Sequence, residues 1–420
     1  MGKFASYVAV ALAAAVPGLW LRFGGVHADP LVATPLFGAA LLGAGFLLSW
    51  GAEAAEKHVS QGLIVAALAL VTVLPEYAVD IYYAFEAGRA PGSDYVRFAA
   101  ANMTGANRLL VGVAWPLVVV LAWWRGRKWA GTAGAGVELE PHNAVEIGFL
   151  ALASAYAFLI LFRNRIGLVD TLALLAIFGL YVWRLSKQPK EAEADGEEEP
   201  GPAAALATLP KARQFVIMGT LTVVAAAIIL AMAEPFAEAL VAAGGALGID
   251  QFLLIQWLAP LASEAPTVTV AVLLVLAGRA TSGLVAMVSD KINQWTLLVG
   301  MLPLAISAGA WAPSSLPLDA RQHEEFFLTA AQSLFALSLL LPLRLGLKSA
   351  ASLLGLFLLQ VGVAFVFRND EARAIMSLTA LAWVYLILAG ILVFYHRRRL
   401  ASLAAAYVRP KQPVIQDERP

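Results

Sequence analysis

The sequence of 420 residues contains no cysteine, which excludes disulfide bonds, thiolate metal sites and thiol redox chemistry. Charged residues are also scarce: they make up 14% of the chain, against roughly 25% in soluble domains, whereas 60% of the residues are hydrophobic. The formal net charge is zero, so a general attraction to nucleic acid has no support. The five histidines fall in or near loops, which argues against a histidine-based site. This composition indicates a polytopic membrane protein.

Apolar stretches long enough to cross a hydrocarbon core of roughly 30 Å recur along the chain. The twelve stretches lie near residues 5–22, 31–53, 61–85, 95–123, 145–162, 166–185, 213–240, 250–277, 282–311, 326–346, 350–367 and 375–395. We therefore predict an all-α fold with about 12 transmembrane helices. The face that carries both termini has about 19 Lys and Arg residues and the opposite face about 8. By the positive-inside rule we expect both termini in the cytoplasm, and we expect the cell (inner) membrane as the location.

An internal repeat connects the two halves of the chain. Glu76 is followed after 26 residues by Asn102, and Glu264 is followed after 26 residues by Asp290. Ten residues later, each segment reaches the last residue of a Leu-Leu-Val-Gly sequence. Because each glutamate lies in a stretch apolar enough to span a bilayer, the repeat puts two carboxyl groups where ionised groups are costly and therefore usually functional.

The spacing of the repeat predicts the domain organisation. The two glutamates lie in the third and the eighth span, so the repeating unit has five spans and must insert in opposite orientation the second time. The predicted segments are an extra N-terminal helix (1–30), a first repeat (31–185), an acidic cytoplasmic linker (186–212), a second, inverted repeat (213–372), and an extra C-terminal helix with a basic cytoplasmic tail (373–420). Inverted repeats are typical of secondary transporters, which bind substrate near the membrane midplane.

The residues around both glutamates predict a cation site. Pro75 precedes Glu76, and Pro260 and Pro266 flank Glu264, so we expect broken helices with freed backbone carbonyls at both positions. Carboxylate, amide, hydroxyl and carbonyl oxygens suit Ca²⁺, Na⁺ or Mg²⁺ and do not suit soft metals. The candidate ligands are Glu76, Glu264, Asp290, Asn102, Thr72, Asp80, Ser263, Asn293 and Asn107.

The charges of these segments predict ion exchange. Four carboxyl groups are accompanied by two basic residues, Arg108 and Lys291, which leaves two negative charges. One divalent cation, two monovalent cations or two protons would neutralise them, so these ions compete for the same carboxylates. Two points stay open: Lys291 either neutralises Asp290 or extends towards the membrane surface, and Asp80 is either a ligand or pairs with an arginine.

At these residues the chain resembles the calcium/cation antiporter superfamily, which includes sodium/calcium and proton/calcium exchangers. Thr72, Pro75 and Glu76 stand at the corresponding places of the Gly-Thr-Ser-x-Pro-Glu element of the family, and residues 288–293 are similar to its Gly-Ala-Asp-x-x-Asn element. The family's Gly-Ser-Asn element is matched by spacing at Asn102, although Gly-Ala-Asn at 105–107 matches better by letter.

The resemblance implies a ten-helix core in which Glu76 and Glu264 together coordinate Ca²⁺. It also implies that a pair of long helices, 31–53 and 213–240, moves against the rest to alternate access.

The predicted function is a secondary active transporter that exchanges a cation, with Ca²⁺ as the first choice, for H⁺ or Na⁺. Val73 and Leu261 replace hydroxyl residues that help to bind Na⁺ in sodium-coupled members, and Lys291 lies next to Asp290. These departures favour proton coupling, because burial raises the affinity of carboxylates for protons. The alternatives are a cation channel, an exchanger that moves a cation other than Ca²⁺, and a membrane enzyme that uses the glutamates as acid and base. We expect no enzymatic activity and no cofactor; the partners are inorganic cations and the lipid bilayer, and the oligomeric state is not predicted.

Overall fold

The computed structural model describes residues 2–26, 28–55, 74–127, 136–187, 206 and 209–398. The described residues form mainly α-helices. These are α1 Gly2–Phe23, α2 Pro30–Ala55, α3 Leu74–Arg89, α4 Tyr95–Leu109, α5 Trp115–Arg125, α6 Ala144–Arg163, α7 Leu168–Leu185, α8 Lys211–Leu247, α9 Gln251–Leu276, α10 Ala280–Asn293, α11 Val299–Ala310, α12 Ala320–Leu340, α13 Leu347–Val366 and α14 Glu371–Tyr395. Short π-helical turns, Leu110–Ala114 and Gln294–Leu298, join α4 to α5 and α10 to α11, so each pair runs as one continuous helix.

Ten of the continuous helices in the described part of the chain are long and apolar enough to cross a membrane. The other two are α3, whose described part begins at Leu74, and α12, which is more polar. The prediction of an all-α polytopic membrane protein is confirmed. Most of the acidic linker, at 188–205 and 207–208, lies outside the described residues, and so do Thr72 and the tail beyond residue 398.

One predicted span is misplaced. The apolar stretch 326–346 predicted the tenth helix, but α12 begins and ends six residues earlier, at Ala320 and Leu340. Its start is fixed by Asp319, whose side chain accepts a hydrogen bond from the backbone N–H of Gln322 at 2.8 Å. Its end is fixed by Pro342 and by Leu343, which has a φ of 55°. The prediction failed because the first two turns of α12 are polar yet buried, and a hydropathy pattern does not detect such a segment.

The prediction of a broken helix at Glu264 is wrong. Helix α9 continues through Pro260 and Pro266. Each proline lacks a backbone N–H, but hydroxyl groups on the same helix donate to nearby carbonyls: Ser263 Oγ lies 3.2 Å from the oxygen of Ala259, and Thr269 Oγ1 lies 2.7 Å from that of Ala265. These hydroxyl bonds do not replace the two helical bonds that the prolines remove at the carbonyls of Gln256 and Ala262, yet α9 stays helical throughout.

Glycines allow the site-bearing helices to approach closely. A Cβ atom on Gly105 of α4 would lie 1.9 Å from the backbone oxygen of Gln256 in α9, so only glycine fits at this crossing. Similarly, a Cβ on Gly45 of α2 would lie 2.5 Å from Cγ of Pro266 and 3.6 Å from Cγ of Pro75. Helix α2 therefore packs directly on the prolines next to both repeat glutamates.

Contacts between the two halves of the chain come in pairs. Helices α2 and α8 pack along each other; α2 also contacts α9, and α8 also contacts α3. The segment before α6, β1 Gly136–Glu138, pairs antiparallel with β4 Arg344–Gly346, which follows α12. The segment after α6, β2 Arg165–Ile166, pairs with β3 Leu316–Pro317, which precedes α12. The strand before α6 thus pairs with the strand after α12, and the strand after α6 pairs with the strand before α12. Exchange of the two halves of the chain converts one pairing into the other.

The loops meet at two ends of the helix bundle. At one end, Thr281 Oγ1 donates to the backbone oxygen of Glu138 at 2.8 Å. At the other end, the guanidinium of Arg97 binds both Asp319 and Glu371. If the twelve predicted spans alternate in direction, the loops of each group lie on the same face of the membrane.

Candidate cation site

The structure brings the two repeat glutamates together in the interior. Glu76 lies in the first described turn of α3 and Glu264 near the middle of α9, and both are buried, with 3% and 4% of their surface exposed. The Glu76 carboxyl group contacts the side chains of Glu264 and Gln294. The two residues that carry the sequence repeat thus form the centre of one site.

The helix formed by α10 and the π turn supplies the next groups. The Glu264 carboxyl group contacts the side chain of Asp290 and accepts a hydrogen bond from Nε2 of Gln294. Asp290 and Gln294 are four residues apart, so they lie on one helical face. Sequence reasoning missed Gln294 because its repeat equivalent is Ala106; the available signal was its position one turn after Asp290.

Asp80 and Asn102 form a pair at the contact between α3 and α4. Nδ2 of Asn102 donates to Oδ1 of Asp80 at 3.0 Å, and both side chains are fully buried. Asp80 therefore binds an amide rather than an arginine. The bond also orients Asn102, since its amide nitrogen faces Asp80 and its carbonyl oxygen stays available.

Lys291 is fully engaged with Asn107. Its Nζ atom donates to the side-chain oxygen of Asn107 at 2.7 Å and to the backbone oxygen of the same residue at 2.9 Å. The ammonium group also lies 5.1 Å from the ring centre of Trp295, within the range of a cation–π interaction. Lys291 thus neither bonds to Asp290 nor extends to the membrane surface. The side-chain oxygen of Asn107 is thus occupied by Lys291, and its side-chain nitrogen donates to the backbone oxygen of Met103.

The remaining candidates differ in their availability. The hydroxyl group of Ser263 bonds to carbonyls of its own helix. The backbone oxygen of Asn293 accepts from the hydroxyl of Tyr77 at 3.5 Å, while its side-chain oxygen is buried and has no hydrogen-bond partner among the described residues.

Six buried side-chain oxygens in this region have no hydrogen-bond partner in the part of the chain that the structure describes. They are Oε1 of Glu76, Oδ2 of Asp80, Oδ1 of Asn102, Oδ2 of Asp290, Oδ1 of Asn293 and Oε1 of Gln294. Leaving a buried acceptor unsatisfied costs about 1–3 kcal/mol each. All six atoms are acceptors, so a cation, a proton or water can satisfy them and an anion cannot.

The charge balance differs from the one that the sequence predicts. Arg108 does not compensate these carboxylates, because it forms a buried ion pair with Glu325 of α12 at 2.5 Å. With Lys291 as the basic residue that remains beside the four carboxyl groups, three negative charges need neutralisation when all four are ionised. The described residues contain no group of three or more His, Cys, Asp or Glu side chains with metal-binding geometry. A cation at this place would thus be bound by amide or backbone oxygens as well as by the glutamates.

Comparison with known structures decides the family. The crystal structure of an H⁺/Ca²⁺ exchanger, CAX, matches the chain with a TM-score of 0.87 and 37% sequence identity, over 97% of this chain and 98% of that one. The chain belongs to the calcium/cation antiporter superfamily. The family model described as sodium/calcium exchanger protein matches residues 31–187, and the family predicted from the repeat motifs is confirmed. Membership of this family makes the chain a membrane transporter of the cation-exchanger class.

Two further comparisons add less. The structure of native YfkE matches with a TM-score of 0.60 over 86% of this chain and 99% of that one; at 12% identity it supports the fold alone. The search of curated proteins found no match.

Proposed function

We propose that this exchanger moves Ca²⁺ against H⁺ by alternating access, with Glu76 and Glu264 as shared ligands of one Ca²⁺ ion. The observation that carries the proposal is the meeting of these two buried glutamates, one from each half, beside Asp290 and Gln294. A divalent cation interacts with both carboxylates at once, which offsets the cost of burying two like charges.

The proposed ligand set is narrower than the candidate list. It comprises Glu76, Glu264, Asp290, Asn102, Asn293 and Gln294, which except for Glu264 all have a buried oxygen without a hydrogen-bond partner among the described residues. Ca²⁺ takes about six to eight oxygen ligands in flexible geometry, and carboxylate and amide oxygens are among those it prefers. Asp80 orients Asn102, and Lys291 occupies Asn107, so we assign supporting roles to Asp80 and Asn107.

Proton coupling is supported by the charge balance. One Ca²⁺ ion leaves one of the three negative charges unneutralised, and a proton on a buried carboxyl group removes it. When Ca²⁺ leaves, further protons can bind to the same carboxylates, which lets the empty site cross the membrane with little net charge. The similar solved exchanger is an H⁺/Ca²⁺ exchanger, and the hydroxyl of Ser263 is engaged within its own helix.

Sodium coupling is the second candidate, and one observation favours it. Three amide oxygens, those of Asn102, Asn293 and Gln294, are buried without a hydrogen-bond partner among the described residues. Neutral oxygens of this kind suit Na⁺.

The proposed cycle uses two inverted repeats, 31–185 and 213–372, with both termini and the 186–212 linker in the cytoplasm. The reciprocal pairing of β1 with β4 and of β2 with β3 supports this arrangement. Helices α2 and α8, which pack along each other over the site, are the proposed moving pair.

Purified protein in sealed proteoliposomes tests the proposal. When the lumen is more acidic than the outside medium, protons leave down their gradient, and we expect Ca²⁺ to accumulate inside. Collapse of the pH gradient with a protonophore should abolish this uptake, and a Na⁺ gradient at equal pH should not replace it. Uptake driven by Na⁺ alone would favour the second candidate, whereas Ca²⁺ flux that needs no counter-ion on the opposite side would indicate a channel.

A further inference from the structure

A second buried polar cluster lies outside the proposed cation site. Its centre is Glu325 in α12, which is fully buried. One carboxylate oxygen of Glu325 binds the guanidinium of Arg321 at 2.9 Å. The other binds the guanidinium of Arg108 at 2.5 Å and accepts from Nε2 of Gln256 at 2.9 Å. One carboxylate thus pairs with two arginines from two helices, α4 and α12.

Glu324, the preceding residue, is buried but unpaired. Only 2% of its surface is exposed, and neither of its carboxyl oxygens has a hydrogen-bond partner among the described residues. Charged groups close to it are Glu325, Arg108 and Arg321. Glu325 compensates only one of the two guanidinium charges, so a negative charge on Glu324 is favoured electrostatically. However, no donor among the described residues forms a hydrogen bond with the ionised carboxylate of Glu324.

Both protonation states of Glu324 are therefore accessible. In the ionised state, two carboxylates balance two guanidinium groups and the cluster is neutral. In the protonated state, Glu324 needs only an acceptor, and the cluster carries one positive charge. Neither state is fully stabilised by fixed partners, as is expected of a group that changes protonation during function.

Among the described residues, the other elements packed around the cluster supply no charged group that would fix the protonation state of Glu324. From α14, the nearby titratable group is Tyr385, whose hydroxyl is buried without a hydrogen-bond partner among the described residues. From α6, Arg163 is engaged by Asp170. On α12 itself, His323 bonds to Asn164.

The surroundings can hold water. Further buried polar atoms of this part of the bundle have no partner among the described residues: Oε1 of Gln256, Nε1 of Trp257 and Oε1 of Gln332. Buried polar groups without protein partners are commonly bridged by ordered water. On one side, Arg321 also lines a cavity of about 240 Å³ whose other walls include Arg97 and Glu371 at the end of the bundle.

On the other side, the cluster is linked to the cation site. Arg108 follows Asn107, the residue that binds Lys291, and the backbone oxygen of Arg108 accepts from Gln332 of α12 at 3.3 Å. Arg108 also lies within electrostatic range of Lys291. A positive charge added to the cluster therefore disfavours a cation bound on the same helices.

We propose that Glu324 is a proton-binding site separate from the cation site, and that proton binding there contributes to the release of the transported cation. This inference rests on the proposed exchange of Ca²⁺ for H⁺. The step is a simple protonation: the Glu324 carboxylate takes one proton that enters from the cavity beside Arg321 and returns it later in the cycle.

The test compares Glu324→Gln with wild type and with Asp94→Asn, which neutralises an exposed carboxylate in the loop before α4, outside the cavity beside Arg321. The first measurement is isotopic exchange of Ca²⁺ for Ca²⁺ at equal pH, which needs no net proton transfer and should persist in both variants, with a lower apparent Ca²⁺ affinity in Glu324→Gln because glutamine, like the protonated carboxyl group, leaves the cluster with a positive charge. The second is Ca²⁺ uptake driven by a pH gradient, which should fall about tenfold in Glu324→Gln alone, an effect of about 1.4 kcal/mol on a rate. The third is infrared difference spectroscopy between acidic and alkaline pH, in which Glu324→Gln should lack one carboxylic acid band.

The outcomes separate this inference from the proposed function. Equal behaviour of Glu324→Gln and wild type in the gradient and infrared measurements would overturn the inference. Loss of both exchange modes would also overturn it, because it would assign Glu324 to the fold or to the cation site. If wild type shows no uptake driven by a pH gradient, the proposed function fails, and the infrared band still decides whether Glu324 binds a proton.

Discussion

Among single residues, Lys291 sets the charge next to the cation site. Its ammonium group is fully buried and is held by two oxygens of Asn107 and by the face of Trp295. Burial of an ammonium group is costly unless it is paired, so this arrangement keeps a positive charge beside Asp290 at some cost in stability. We expect the benefit to be a lower affinity for the cation, which a transporter must release as well as bind.

Replacing Lys291 with Met should therefore tighten Ca²⁺ binding and slow turnover. Methionine keeps the length of the side chain and removes the charge, and every 1.4 kcal/mol or so of repulsion removed corresponds to about a tenfold gain in affinity. Calorimetric titration of the purified protein measures the affinity, and isotopic exchange measures the turnover. Lys348→Met, an exposed lysine at the end of the bundle, is the matched control. Weaker Ca²⁺ binding in Lys291→Met would contradict this role and would make Lys291 a support for Asn107 only.

Among the elements, helix α8 is hydrogen-bonded to α3 and α4 through the carboxylate of Glu238. Glu238 of α8 accepts a hydrogen bond from Tyr82 of α3 at 2.5 Å and another from Tyr95 of α4. Close by, the hydroxyl of Tyr83 lies 3.4 Å from the backbone oxygen of Ala237. Because α8 is half of the proposed moving pair, we expect these bonds to hold this end of the bundle closed, since they must break before α8 can move away from α3.

The double variant Tyr82→Phe/Tyr95→Phe removes both hydrogen-bond donors. It should raise the population of the state in which the interface between α8 and α3 is open. Hydrogen bonds to a charged group contribute about 1.5–3 kcal/mol each, so the open state should gain at least about tenfold in population. A cysteine at Ala237, which is fully buried, reports the opening through its rate of labelling by an impermeant maleimide, and the chain has no native cysteine to interfere. Tyr7→Phe, on an exposed tyrosine of α1, controls for loss of a hydroxyl. An unchanged labelling rate in the double variant would exclude a closing role for Glu238.

At the same scale, the helices could be predicted far better than their interior polar contacts. Hydropathy alone placed ten of the helices in the described part of the chain close to their positions, because each needs about 20 apolar residues; most of the predicted span 61–85 lies outside the described residues. It failed at α12, where Arg321, Glu324 and Glu325 are buried in a bundle of helices rather than exposed at a loop. The partner of Glu325 is Arg108, which lies far away in the sequence, and no local pattern could pair the two.

For the whole molecule, the repeat was the strongest predictor of the site because it compares two halves that fold against each other. It identified Glu76, Glu264, Asn102 and Asp290, all of which are buried in the interior. It could not identify Gln294, which has no polar counterpart in the first half. The sequence also offered Asn107 and Asn293 together as candidate ligands, whereas Lys291 occupies the side-chain oxygen of Asn107, and that of Asn293 has no hydrogen-bond partner among the described residues.

The central claim is that the two halves contribute one glutamate each to a single Ca²⁺ ion, and the stoichiometry of Ca²⁺ binding tests it most directly. Equilibrium binding to the purified protein should give one site for each chain in wild type. Glu76→Gln and Glu264→Gln keep the side-chain volume and remove one charge, so each alone should weaken that site by on the order of 100-fold, the upper end of the losses seen when a partner of a metal ligand is removed. Glu234→Gln, at an exposed position of α8, should bind like wild type. Two independent sites in wild type, each lost in only one of the two variants, would contradict the claim, and so would full binding in either variant.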